Sequence, residues 1–491
     1  MRKGQGQLIS IILNSSNSRY IMLFTSVSFL LFFPIVCAIY YCLPIVSWRV
    51  WFLLAASYLF YLNLNPWCSL ILLFSTIITY GGALLIGSQK TQLGKKRYLW
   101  GVICANVLVL GYFKYTNFIV QSLLDILTVG GGNFKGFDII LPIGISFYIF
   151  KAISYIVDVY KEKIKPEKDF SAFALYVAFF PQLLAGPIDR AERMIPQFKR
   201  KIGFDGCNVT AGLKMMLWGY FMKLVFADRA VIYVDAVYGN LHAHNGTSIL
   251  LAAILYSFQI YCDFAGYSLL SSGVAKAMGY DVMQNFNRPY MAKSITEFWK
   301  RWHISLTKWL TDYIYIPLGG SRCSKLKIYW NIMVTFLVSG LWHGSSWNFV
   351  IWGMIHGVIQ VIEKALGIAK KESKSQLILT GRIVLTFFIA TIAWIFFRLS
   401  DFSEAVYAVG KIFTSFGMPF TSKDATPALE YCALGLFFII AKDILDEYYP
   451  SKFRLLDNRN IVVRYIAYIT VTMLILAAGV FDDSQFIYMQ F

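Results

Sequence analysis

Charge is scarce in this chain and acidic charge scarcer: 15% of 491 residues are charged, with 27 Asp and Glu against 45 Lys and Arg. A soluble domain carries about 25% charged residues and is about 45–50% apolar. Here 57% of residues are hydrophobic, and no polar stretch is long enough to form a soluble domain. That excludes the several soluble domains which length alone would suggest. The eight cysteines contain no CxxC pair and most lie in apolar runs, so they read as small buried thiols. There is no GxSxG elbow, no Walker loop and no HExxH, which excludes a serine-elbow hydrolase, a P-loop enzyme and a zincin. Low-complexity segments and internal repeats are missing as well. A transporter built on two related halves would show such a repeat.

What is there is a series of long apolar runs. A spanning helix needs about 20 mostly apolar residues. Candidate spans are 22–43, 49–64, 67–87, 99–115, 138–158, 208–230, 248–277, 328–345, 347–364, 377–398, 428–446 and 461–481. The expected fold is therefore an all-α polytopic membrane protein of about 11–12 transmembrane helices. The first run has no cleavage site after it and reads as a retained span, preceded by a polar extension at 1–21. The net charge of +18 sits in short clusters between spans, the pattern of cytoplasmic loops and their anionic lipid headgroups rather than of nucleic-acid binding. Lys90, Lys95, Lys96 and Arg97, then Lys161, Lys163, Lys165 and Lys168, place two loops in the cytosol, with the neutral loop 116–137 and the N-terminus outside. The clusters at Lys370, Lys371 and Lys374 and at Lys452, Arg454 and Arg459 fall on the cytosolic side. Two segments do not fit spans: 171–187, short and broken by Pro181, Gly186 and Pro187, and 286–320, aromatic but too charged to cross. Both read as re-entrant, since irregular backbone at membrane depth must be surrounded by protein. The chain is thus one membrane domain, 22–491, with its motifs concentrated in 141–357.

Of five histidines, three lie in the stretch from Phe286 to Gly357. His343, in SGLWHGSSW, is flanked by small residues that leave room for a substrate. An intramembrane imidazole marks a functional site, and a neutral one can take a proton from a hydroxyl. His303, in EFWKRWHISL, suits catalysis or an interface equally, and His356 reads as structural. Asp263, in IYCDFAGYS, either serves catalysis or pins helices. His242 and His244 form an HxH pair in a polar loop without a third ligand cluster, so no metal site is expected.

The segments LPIGISFYIFKAISYIVDVYK (141–161), FFPQLLAGPIDR (179–190), FQIYCDFAGYS (258–268), NFNRPYMAKSITEFWKRWHISLTKWLTDYIYIPLGG (285–320) and SGLWHGSSWNFVIWGMIHG (339–357) occur in this order. In them the chain resembles the membrane-bound O-acyltransferase (MBOAT) family. The likeness is to its bacterial branch of alginate, peptidoglycan and teichoic-acid modifying subunits (AlgI-, PatA- and DltB-like). The IPLGGSR and FFR segments lean toward the polysaccharide O-acetyltransferase subgroup. The resemblance implies helices and re-entrant segments around a central tunnel or funnel. It assigns catalysis to His343 and, second, to His303, and it places Trp302 and Asp312 near the tunnel. Trp342 and Asp263 are added as candidates along the substrate path, and Lys300, Arg301 and Arg322 as candidates for the phosphates of a donor. It further implies acetyl-CoA as a cytosolic donor substrate with no bound cofactor. A bacterial inner-membrane location, an extracytoplasmic SGNH-type partner and a polysaccharide acceptor follow in the same way. Two alternatives stand beside it: D-alanyl or other acyl transfer to teichoic acid, and a proton-coupled transporter using His343 and Asp263 as a relay.

Overall fold

The computed structural model describes residues 22–127, 134–368, 373, 375–450 and 454–481. The extension expected at 1–21, and Lys370, Lys371, Lys374 and Lys452, lie outside the described residues. Among the described residues every regular element is a helix. Pro66–Ser88, Gln92–Leu127, Gly246–Ala277, Gln376–Arg398 and Ile461–Ala478 are by themselves long and apolar enough to cross a membrane, and Val27–Cys42 is apolar but shorter.

The scaffold is built around Gly246–Ala277, a 32-residue helix about 48 Å long at 1.5 Å per residue. It starts at Asn245, whose side chain accepts from the Ser248 N–H. Nearly all of it is buried, because Gly206–Tyr220 lies against it along a seam of glycines. Gly212 faces Gly273 and Gly219 faces Gly266. A Cβ on any of the four would stand 2.5–2.8 Å from the partner's carbonyl oxygen. Lipid supplies no hydrophobic drive between helices, so such close backbone approach is what holds them. Gly273→Leu should cost at least about 1–3 kcal/mol through overpacking. The expected result is a lower yield of monodisperse protein by size-exclusion chromatography, and an unchanged yield would contradict the seam.

Several spans differ from their sequence-derived bounds, and two of these bear on the site. The run 99–115 is part of a helix that continues to Leu127, so much of the stretch 116–137 is helical rather than loop. The continuation is favoured because a π-helical turn, Gly111–Tyr115, absorbs one extra residue and carries the helix on. The run 138–158 begins instead at Ile145, where Gly144 adopts φ 78° and opens helix Ile145–Tyr160. Only glycine fits there, since a Cβ would meet the Leu183 carbonyl oxygen at 2.4 Å. Between Gln92–Leu127 and the end of Ile145–Tyr160, Lys95 binds Glu162 at 2.6 Å and holds its carboxyl below the usual carboxylate range.

Residues 171–187 form two short helices, Phe170–Ala178 and Phe180–Leu183, and every residue from 171 to 189 is buried. A nine-residue helix is about 14 Å long, half a bilayer core. Residues 286–320 form Pro289–Met291, Ile295–Arg301, Ile304–Leu310 and the π-helical Thr311–Tyr315. A third π-helical turn, Phe221–Ala227, interrupts the helix that follows Gly206. Each of the three turns carries an ionisable residue: Lys114, Lys223 and Asp312.

Candidate active site

Each histidine of interest stands where a helix stops. His343 is the last residue of helix Lys325–His343, beyond which Gly344 turns the chain into Trp347–Ala365. The two helices close on each other through small residues: a Cβ on Gly340 would stand 2.2 Å from the Phe349 carbonyl oxygen. His343 is 2% exposed, and its ring meets those of Trp342, Trp352 and Phe397 at 4.9, 4.9 and 5.5 Å.

This helix ends inside the protein, so its last carbonyls need partners there. Tyr115 Oη donates to Leu341 O at 2.6 Å. Lys114 Nζ donates to Trp342 O at 2.5 Å and to His343 O at 3.2 Å. The C-terminal end of the helix dipole also favours a cation. Lys114 is buried and was missed in the sequence, although it is the single charge in the apolar run 99–115. That alone is the signature of a functional intramembrane residue.

His303 stands between helices Ile295–Arg301 and Ile304–Leu310 with φ 41°, fully buried. Its Nδ1 lies 3.0 Å from Asn285 Oδ1, and its ring packs on Phe264 at 4.7 Å and Trp342 at 5.7 Å. Trp342 thus touches both histidines. A cleft of about 460 Å³ ends on His343, lined by Lys114, Gly144, Ser146, Phe147, Leu184 and Trp342. A second cleft, of about 940 Å³, is lined by Tyr261, Ser268, Gln284, Asn285, Arg288 and Asp443 among others. One cleft therefore reaches His343, and the other reaches the side chain that holds His303.

The remaining predicted residues line neither of these two clefts. Asp263 Oδ1 binds Lys223 Nζ at 2.7 Å, and the same ammonium binds Asp228 at 2.8 Å. The geometry is that of a buried ion pair linking two helices. Trp302 is buried among Phe286, Phe298 and Trp394 at 5.0, 5.4 and 4.9 Å, and lines neither cleft. Asp312 binds Arg190 at 3.1 Å, also away from both clefts. Among the candidates for donor phosphates, Arg301 holds Glu297 at 2.7 Å and Glu447 at 2.8 Å, while Lys300 and Arg322 are exposed. Arg301→Gln should therefore lower stability, because Glu447 loses a partnly buried counter-charge. A lower melting point at an unchanged donor KM is expected, and a raised KM at unchanged stability would restore the phosphate role. His356 Nδ1 accepts from Trp299 Nε1 at 3.3 Å within an aromatic cluster. His242 pairs with Glu404 at 3.0 Å and His244 packs on Phe420, and no group of three His, Cys, Asp or Glu suited to a metal occurs among the described residues.

A helical, multi-pass membrane protein with two buried histidines, one at the end of a cleft and the other held by a residue that lines a second cleft, is a scaffold for chemistry inside the bilayer. Residues 161–400 match the membrane-bound O-acyltransferase family. The chain is 37% identical to "Probable alginate O-acetylase AlgI" of Azotobacter vinelandii, over 85% of this chain and 84% of that protein. It is 33% identical to "Peptidoglycan O-acetyltransferase" of Helicobacter pylori, over 73% and 72%. It is 29% identical to "Teichoic acid D-alanyltransferase" of Bacillus subtilis, over 44% and 57%. The chain belongs to the membrane-bound O-acyltransferase family, and it is an O-acyltransferase.

Proposed function

We propose that this protein passes an acetyl group from cytosolic acetyl-CoA through the bacterial inner membrane, for O-acetylation of a cell-envelope or exported polysaccharide. One observation carries the reading: Trp342 touches both His303 and His343, while one cleft ends on His343 and the other on Asn285, the partner of His303. The larger cleft is lined by residues 282 and 284–288, which follow the C-terminal end of Gly246–Ala277, the end the basic-cluster orientation assigns to the cytosol. The smaller one is lined around Leu141–Ile145, which the orientation read from the basic clusters assigns to the outer face. Donor and acceptor then meet at the histidines from opposite faces, and the coenzyme never crosses.

In the reaction, His343 takes the proton of the acceptor hydroxyl as its oxygen attacks the thioester carbonyl. The C–S bond breaks, a C–O bond forms, and the proton passes to the departing thiolate. The acceptor is a hydroxyl of an SGNH-type extracytoplasmic partner or of the glycan itself. Alkyl stems and rings around His343 keep bulk water from hydrolysing the thioester. The similarity to alginate and peptidoglycan O-acetylating proteins, over most of the chain, supports acetyl over D-alanyl transfer.

The test is transfer from radiolabelled acetyl-CoA by the full chain in liposomes, with and without the co-purified partner. Label on the partner or glycan is expected. Label only from a D-alanyl carrier protein would move the assignment to teichoic-acid modification.

A further inference from the structure

Asn285 is held at the centre of a small buried network between the two histidine-bearing regions. Its side chain is 2% exposed. Oδ1 lies 3.0 Å from His303 Nδ1, 2.9 Å from Ser305 Oγ and 3.3 Å from Ser305 N, while Nδ2 donates to Ser268 Oγ at 3.2 Å. The orientation of the amide follows from these partners. A backbone N–H only donates, so the atom facing Ser305 N is the oxygen. Ser305 Oγ accepts from Ile188 N–H at 3.0 Å and is left to donate to the same oxygen. An oxygen cannot donate, so the bond to His303 has the imidazole Nδ1–H as its donor. The neutral ring is then fixed as the Nδ1–H tautomer, with the lone pair on Nε2. Nε2 is buried and has no hydrogen-bond partner among the described residues. The backbone reinforces the arrangement, since Asn285 O accepts from Ile304 N–H at 2.8 Å and so pins the residue next to His303.

We propose that Asn285 is a positioning residue that fixes His303 in the Nδ1–H tautomer and presents its Nε2 as a proton acceptor inside the acyl-transfer site. Burying a bare acceptor is costly. His356 differs in which nitrogen is left bare: its Nδ1 accepts from Trp299 and its unpartnered Nε2 is then the N–H, whereas His303 leaves a lone pair free to take a proton. A fixed tautomer is worth a great deal in such chemistry: presenting the wrong one in a serine-protease triad lowers kcat by about 10⁴-fold. In this site Asn285 stands behind the ring, and it also lines the larger cleft. Mutation there therefore has two distinguishable consequences: lost orientation lowers kcat, and lost donor contact raises KM.

The catalytic arm of the inference rests on the acyl-transfer reading, and its spectroscopic arm does not. The full chain, reconstituted in nanodiscs with ¹⁵N-labelled histidine, is compared with His303→Gln so that the His303 signals are assigned by difference. The expected result is protonated Nδ1 and unprotonated Nε2 on His303 in the unmutated protein, and a mixture of tautomers in Asn285→Leu. In acetyl transfer, Asn285→Leu should lose about 10²-fold or more in kcat with donor KM within about threefold. Asn285→Asp, which keeps an acceptor facing Nδ1, should recover most of that loss. An Nε2–H tautomer in the unmutated protein would overturn the proposal, as would a raised KM at unchanged kcat or equal losses in Asn285→Leu and Asn285→Asp. If the unmutated protein transfers no acetyl group yet shows the Nδ1–H tautomer, the acyl-transfer reading fails and the positioning role stands.

Discussion

His343→Ala is expected to abolish acetyl transfer, by at least about 10²–10⁴-fold if the ring acts as a general base. The protein should still assemble, because the helix that carries His343 is also held by its close approach to Trp347–Ala365 at Gly340 and by Lys114 and Tyr115. The ring does fill space against Trp342, Trp352 and Phe397. Alanine therefore leaves a cavity, and some loss of stability accompanies the loss of activity. His343→Gln, which keeps most of the volume, separates the two effects. Label transfer and size-exclusion profiles should show both variants inactive, with the Gln variant close to the unmutated protein in melting temperature. Activity retained in either variant would remove His343 from the chemistry.

The second large effect is expected at Lys114. Lys114→Met keeps the stem and removes the ammonium that caps Trp342 O and His343 O. Two buried carbonyls lose their partner, at a cost of about 1–3 kcal/mol each, and the helix dipole loses its cation. The last turn, which orients the His343 ring, is then free to shift. A displacement of about 1 Å at a reacting group lowers rates by about 10²-fold. The expected outcome is a kcat reduced by that order, with a melting point lowered by several degrees. Full activity in Lys114→Met would show that the close approach of the two helices at Gly340 holds the histidine without the cap. The lysine also lines the cleft that ends on His343, so acceptor KM should be followed beside kcat.

Much of this protein was legible in its residues. The apolar runs defined a helical membrane protein, because hydrocarbon accepts only backbone that satisfies itself. Residues 171–187 departed from that pattern through Pro181 and Gly186, and the structure shows them as short buried helices rather than a span. His343 stood out because an imidazole inside an apolar run is costly unless it is used. Helix bounds were less legible. The stretch 116–137 read as a neutral loop, yet helix Gln92–Leu127 runs well into it, since the π-helical turn at Gly111–Tyr115 leaves no break in composition.

The partnerships of the site were decided only by tertiary structure. Lys114 meets Trp342 and His343 across 228 and 229 residues of sequence, and Asp263 finds Lys223 on a neighbouring helix. Asn285 meets His303 across 18 residues, through a turn that no periodicity announces. Composition and apolar length decide that the chain enters the membrane, because transfer into lipid depends on each residue's own surface. Which buried charge is neutralised, which carbonyl is capped and which imidazole nitrogen holds the proton depend on the pairing of groups. Pairing is set only when distant helices pack and exclude every alternative partner, including water.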